Sequence, residues 1–171
     1  MAENLYPFTA FNFSVEIAVP EISSKICKAS FSDCDGLEMS MEVKTIREGG
    51  NNSKQIRMTG PLTYGTLTLK RGMTSDDFDL WKWFSAVQRN PTIRADAEVV
   101  LFAANGSTPK AKFKLERCLP IKLKAPTLSA KDGAVAIEEL QLAYESLTVE
   151  PGEGEGGFGL SFSASASIGI G

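Results

Sequence analysis

The sequence predicts a mainly β fold, an antiparallel β-barrel or sandwich with one flanking α-helix, and three observations carry that expectation. Apolar residues recur at every second position along most of the chain, turn-forming residues separate those runs, and a single stretch changes to helical spacing. The first run, residues 11–19, sets Phe11, Phe13, Val15, Ile17 and Val19 against Asn12, Ser14, Glu16 and Ala18. Strand geometry alone sends such neighbours to opposite faces.

The same alternation returns at Leu37, Met39, Met41 and Val43, and again at Ile93, Ala95, Ala97, Val99 and Leu101. Ala111, Phe113 and Leu115 then alternate with Lys110, Lys112, Lys114 and Glu116. The pair Asn105-Gly106 between the last two runs is a strong hairpin signal, because both residues tolerate the positive φ of a tight turn. Over residues 134–149 the apolar positions are Val135 and Ile137, then Leu140, Leu142 and Tyr144, then Leu147 and Val149. Two changes of phase within one strand predict bulges or bends. Between residues 49 and 61 the composition turns to Gly, Asn, Ser, Lys and Gln, which predicts a long exposed loop.

The helix is expected at about residues 76–89. Thr74 or Ser75 can cap it, Asp77 stands at capping-box spacing from Thr74, and Asn90-Pro91 ends it. Leu80, Trp83, Phe84 and Val87 form a core-facing stripe, while Phe78 and Trp81 project from a different side. That second side requires a cover of its own, either a loop of the same chain or a neighbouring subunit.

Composition excludes more function than it assigns. The chain has 171 residues, 43% of them hydrophobic and 23% charged, enough for one domain with a sizeable core. A net charge of −3 gives no reason to expect nucleic-acid binding, which needs clustered Lys and Arg. The longest apolar stretch, residues 99–104, falls far short of the roughly 20 residues a membrane-spanning helix needs. No secretory leader pattern opens the chain, so synthesis and assembly in the cytoplasm are expected.

Cys27, Cys34 and Cys118 form neither a disulfide framework nor a zinc pattern and are read as small apolar residues. Histidine is absent, which removes the commonest general base, the commonest metal ligand and every Ser-His or Cys-His pair. Among the carboxylates, Asp76, Asp77 and Asp79 crowd a helix start, and Glu138 and Glu139 are adjacent in a strand, so solvation and helix-dipole complementarity account for them. No catalytic, cofactor or metal residue is therefore assigned.

Two units are expected: a β domain over residues 1–150 and a Gly/Ser-rich extension over residues 151–171. The run of Gly and Glu at residues 152–157 reads as an acidic linker. Beyond it Phe158, Leu160, Phe162, Ala164, Ala166, Ile168 and Ile170 alternate with small residues, Ser161 to Ser167 among them. This is the pattern of an arm that adds as a strand to an exposed sheet edge, with a disordered tail as the alternative.

Read in order, these elements resemble the tail-tube protein family of contractile phages, extracellular contractile injection systems and type VI secretion machines. The resemblance covers residues 11–149. It rests on Phe31 followed by Gly36-Leu37, on the run from Val43 through Lys44, Thr45, Ile46, Arg47, Glu48 and Gly49 to Gly50, and on Leu67 to Gly72 leading into the helix with Trp81 and Trp83. Leu119-Pro120 and the run from Val135 to Glu145 complete it. The insert at residues 20–29 and the tail beyond Glu150 depart from the family pattern.

The resemblance implies hexameric rings that stack into a hollow inner tube, with sheath, spike or baseplate and terminator proteins as partners and cargo or DNA in the channel. It implies assembly in the bacterial cytoplasm and a phage tail-like particle, released or membrane-docked. Candidate subunit-interface residues are Phe78 and Trp81, Glu48 together with Gly49, Gly50, Asn51 and Asn52 of the exposed loop at residues 49–60 that follows it, Lys70 and Arg71 in the turn feeding the helix, and Phe158, Leu160 and Phe162 in the arm. Other readings are a specialised ring at the tube's end, a β-sandwich module using Trp81 or Trp83 as a stacking platform, and a carboxylate enzyme. The place of Trp83 in a core stripe opposes the platform reading, and the lack of histidine opposes the last.

Overall fold

The computed structural model describes residues 10–152 apart from 30, 48, 51–53, 75, 76 and 132. Ten strands and one helix follow the chain: β1 (Phe13–Val19), β2 (Ser23–Ala29), β3 (Asp33–Asp35), β4 (Met39–Ile46), β5 (Ile56–Tyr64), β6 (Thr66–Gly72), α1 (Asp79–Arg89), β7 (Ala95–Phe102), β8 (Pro109–Lys124), β9 (Ile137–Ala143) and β10 (Ser146–Pro151). Every described strand pair is antiparallel. One large sheet runs β2-β1-β7-β8-β9-β6-β3, with β10 also on β8, and β4 and β5 form a separate two-stranded ribbon.

The large sheet folds over one core because β8 is bent. Arg117 adopts φ 54°, a conformation that costs a non-glycine residue roughly 1–2 kcal/mol. Its backbone N–H donates to Asp96 Oδ1 at 3.1 Å and its Nε to Glu145 Oε2 at 2.7 Å, which fixes the bend. Before Arg117, β8 pairs with β7 and β10; past it, Cys118 still faces Ala95 of β7, and from Leu119 onward β8 pairs with β9. Val15, Ile17 and Val99 from one half then meet Leu67, Leu69, Leu140 and Leu142 from the other, with Leu80 and Trp83 of α1 in the same cluster. Burying such side chains contributes roughly 1.5–3 kcal/mol each.

The Asn105-Gly106 hairpin forms as the sequence implies: Gly106 has φ 71°, and Asn105 Oδ1 accepts from the N–H groups of Ser107 and Thr108. The insert at residues 20–29 supplies β2, an outer strand on β1. Cys118 is buried in the core and Cys34 packs against it, the apolar role expected of both.

Other expectations need correction. The helix starts at Asp79, three residues after the expected 76, with no side-chain cap at Phe78; Asp77, expected inside it, is held by Arg71 instead. The stretch at residues 49–61 is only partly a loop, since β5 begins at Ile56 and contains Pro61. Proline is tolerated there because β5 pairs on one side only and a bulge interrupts its ladder between Met41 and Val43. Lys70, Arg71 and Gly72 end strand β6 rather than forming a turn. Of the two phase changes expected over residues 134–149, the second is the break between β9 and β10, but the first is no bulge. Val135 and Ile137 are simply exposed, and Glu138 takes the inward position ahead of Leu140.

Candidate functional site

Two surfaces stand out as incomplete, and the first is the β4–β5 ribbon. Alternation places Met39, Met41 and Val43 on one face of β4, with Tyr64 and Leu62 opposite the first two. Past the bulge, Ile46 on the other face pairs with Ile56, beside Met58. Met39, Met41, Val43, Ile46, Ile56, Met58 and Leu62 are between 43% and 57% exposed. A strand read from its pattern as half-buried therefore has no cover among the described residues. A lone two-stranded ribbon is at best marginally stable in water.

Its root, by contrast, is held firmly. The Tyr144 hydroxyl donates to the Gly36 carbonyl at 2.8 Å and accepts from the Glu38 N–H at 3.0 Å, while the Gly65 N–H donates to the Glu38 carbonyl. The Tyr64 ring packs on Tyr144 with centroids 5.6 Å apart. At Gly36, φ is 95° and a Cβ would fall 1.9 Å from the Thr66 carbonyl oxygen, so only glycine lets the chain enter the ribbon this close to β6.

The second surface is the outer side of α1, positioned by buried charge. Arg71 and Glu138 are register partners on β6 and β9 and both face inward, 4% and 1% exposed. Arg71 Nε donates to Glu138 Oε1, its Nη1 donates to Asp77 Oδ2 at 2.6 Å, and its guanidinium lies 5.9 Å from the centre of the Phe31 ring. The other Glu138 oxygen accepts from the Trp81 indole N–H at 3.1 Å, and Asp77 Oδ1 accepts from the Asp79 N–H. The network thus clamps the start of α1 to the sheet and fixes the Trp81 ring. Asp77 and Glu138, expected to be simply solvated, are two of its members.

On the outward side Phe78, Trp81, Lys82, Ser85, Ala86 and Arg89 line an open groove of about 410 Å³. Leu80 and Trp83 face the core, so Trp83 is no stacking platform.

Among the interface candidates, Phe78 is exposed and Trp81 half-buried on this groove, Gly49 and Gly50 lie in an exposed turn following β4, Lys70 is half-buried and Arg71 is inside the clamp. Glu48, Asn51, Asn52, Phe158, Leu160 and Phe162 lie outside the described residues. The sequence reading missed Glu138 and the ribbon's own side chains. Their signal was present, since the inward stripes Leu67, Leu69, Arg71 and Glu138, Leu140, Leu142 each end on a charge, of opposite sign. Among the described residues no cluster of Cys, Asp and Glu is arranged to hold a metal, and no helix is long and apolar enough to cross a membrane.

The family model of the T4-like virus tail tube protein gp19 matches residues 9–148. The chain belongs to that family. It is a tail tube protein. A chain in the cryo-EM structure of the anti-feeding prophage baseplate, 6-fold symmetrised, is 26% identical, with TM-score 0.75 over 85% of this tail tube protein and 97% of that chain. A chain of an extracellular contractile injection system, the PVC sheath-tube complex in its extended state, shares the fold at 21% identity, TM-score 0.74, covering 86% and 94%. One in the anti-feeding prophage tube-terminating cap does so at 19% identity and TM-score 0.75, covering 88% and 95%. A search of curated protein sequences found no match.

Proposed function

We propose that this tail tube protein assembles into hexameric rings that stack as the inner tube of a contractile injection system or phage tail. The observation that carries the reading is the β4–β5 ribbon, whose apolar side chains stand uncovered in the single subunit. Residues 1–150 act as the ring-forming domain, and residues 151–171 as an extension from it. Tip residues 49–60 and the exposed ribbon faces meet neighbouring subunits or rings. Such contacts are head-to-tail, so stacking continues until a terminator blocks it.

Magnitudes favour a ring over a dimer. Completing the burial of the seven ribbon side chains is worth roughly 1 kcal/mol each. The sum only matches the cost of association, about 4–15 kcal/mol, so one ribbon contact does not hold two subunits. Ring closure gives every subunit two such interfaces for one additional loss of freedom. A specialised ring at the tube's end uses the same surfaces, but nothing in the described fold favours it over the main tube subunit.

The work done is mechanical. The subunit supplies rigidity and an open channel for cargo or DNA, the sheath supplies the stroke, and baseplate, spike and terminator proteins meet the tube's ends. Assembly takes place in the bacterial cytoplasm, and the finished tail-like particle is then released or docked at a membrane. Negative-stain microscopy of the concentrated chain tests the reading: rings or tubes with six-fold views are expected, and a monomer at every concentration, even beside sheath and baseplate partners, defeats it.

A further inference from the structure

The edge of β10 and the chain that follows it complement one another. β10 pairs with β8 on one side, and no described strand pairs with its other side. Two hydrogen bonds fix which groups that edge offers: the Phe102 N–H donates to the Asn12 carbonyl, and the Gly152 N–H to the Lys110 carbonyl. Bonding direction alternates along an antiparallel ladder, so Ser146, Thr148 and Glu150 bond β8 while the main-chain N–H and C=O of Leu147 and Val149 point outward. Pro151, next in that series, offers only its carbonyl.

The side chains at this edge are also incomplete. Leu147, opposite Leu115, is 8% exposed, whereas Val149, opposite Phe113 on the same face, is 53% exposed. The core layer thus stops one strand short at the end of β10.

Chain continuity identifies the occupant. Residues 152–157 join Pro151 to Phe158, and a strand returning beside β10 has to move only about 4.8 Å sideways. A symmetric return sets Phe158 opposite Pro151, Leu160 opposite Val149 and Phe162 opposite Leu147. Residues directly opposite share a face, so these apolar side chains join the core layer, while Gly159, Ser161 and Ser163 fall with Glu150, Thr148 and Ser146 on the other face.

We propose that residues 158–163 pair antiparallel with the outer edge of β10 in the same copy, Leu160 covering Val149. The occupant is this chain's own segment, and the strand addition expected from its alternation thereby gains an edge, a copy and a register. The inference goes beyond the tube reading and does not depend on it, because it closes within one subunit an edge otherwise open to other strands.

Thr148→Cys with Ser161→Cys in the full-length chain tests the register. That pair lies between ladder bonds, where opposite Cα atoms stand about 4.5 Å apart, within disulfide reach. Mild oxidation of a dilute, equal mixture of ¹⁴N and ¹⁵N protein, mapped by mass spectrometry, should give a 148–161 disulfide with a single isotope in each linked pair. It should form at least tenfold faster than the link in Thr148→Cys with Leu160→Cys, whose side chains lie on opposite faces. Equal rates in the two variants, or linked pairs of mixed isotope, overturn the proposal. Amide exchange adds a readout without new cysteines: the Val149 N–H should exchange at least tenfold faster in Leu160→Asp than in the parent, and equal exchange likewise overturns the proposal. Neither readout requires rings. A chain that forms the link yet stays monomeric defeats the tube reading alone, whereas tubes without the link defeat this inference alone.

Discussion

The β7–β8 hairpin and the β4–β5 ribbon are built to the same plan and end in opposite circumstances. Both are antiparallel pairs with apolar residues at alternate positions. Ala95, Ala97, Val99 and Leu115 of the first are buried in the core, whereas Met39, Met41, Val43 and Leu62 of the second face outward. Alternation announces a face that water will not cover well; it does not say which molecule supplies the cover. The difference lies at the roots, where β7 continues into a sheet that folds over itself and β4 leaves the body at Gly36.

The largest expected effect is on the body. Arg71→Ala or Glu138→Ala leaves one charge buried without its main partner and should cost about 3–5 kcal/mol in chemical unfolding. Arg71→Met with Glu138→Leu should recover most of that. If the single substitutions unfold like the parent, the clamp contributes nothing and the position of α1 must be set otherwise.

Next comes the direct contrast between the two pairs. Leu115→Ala should cost about 2–5 kcal/mol, as expected for a cavity in a packed core. Met41→Ser with Val43→Ser should shift unfolding of the isolated subunit by less than about 0.5 kcal/mol, yet abolish rings and tubes under the microscope. Equal losses of stability in the two variants would mean that the ribbon is covered within its own subunit.

Tyr144→Phe sits between the two regions. It removes the hydroxyl shared by Gly36 and Glu38 and should cost roughly 1–2 kcal/mol. Faster amide exchange in β4 than in β7 is the sharper readout, and uniform exchange would show that the root is held without this residue.

The smallest effect concerns thiols. Burial, with a smaller contribution from Asp96, raises the Cys118 thiol to about 12, and burial, with Asp35 adding less, raises Cys34 to about 11. Both folded values lie above the ordinary thiol value, so the stability they contribute is intact below that value and is lost as pH rises through about 9 to 12. At pH 8, alkylation mapped by mass spectrometry should find Cys118 modified far more slowly in native than in denatured protein. Equal rates would mean that the core opens.

Local pattern was enough to read several sheet strands from period-two alternation, the β7–β8 turn from Asn105-Gly106 and the core stripe of α1 from helical spacing, because each depends on neighbours in the chain. The clamp was harder. Glu138 beside Glu139 looks like ordinary surface, and only its register opposite Arg71, sixty-seven residues away, makes it a buried partner. Asp77 at capping-box spacing suggested a helix start, but an ion pair with Arg71, whose orientation is set by its distant partner Glu138, outweighed the cap. The ribbon was misread for the opposite reason: its local pattern was correct, but no described residue covers the apolar faces that the pattern announces.

The anchoring of the ribbon at Tyr144 has a geometric consequence for construction. A strand as long as β4 extends about 25 Å from its root. A tilt of about 5° at that root would carry the tip about 2 Å sideways, more than a well-packed seam tolerates. In the proposed tube one phenolic hydroxyl would act as a jig: by limiting angular play at the shoulder of each lever, it would keep small errors from accumulating along a long fibre.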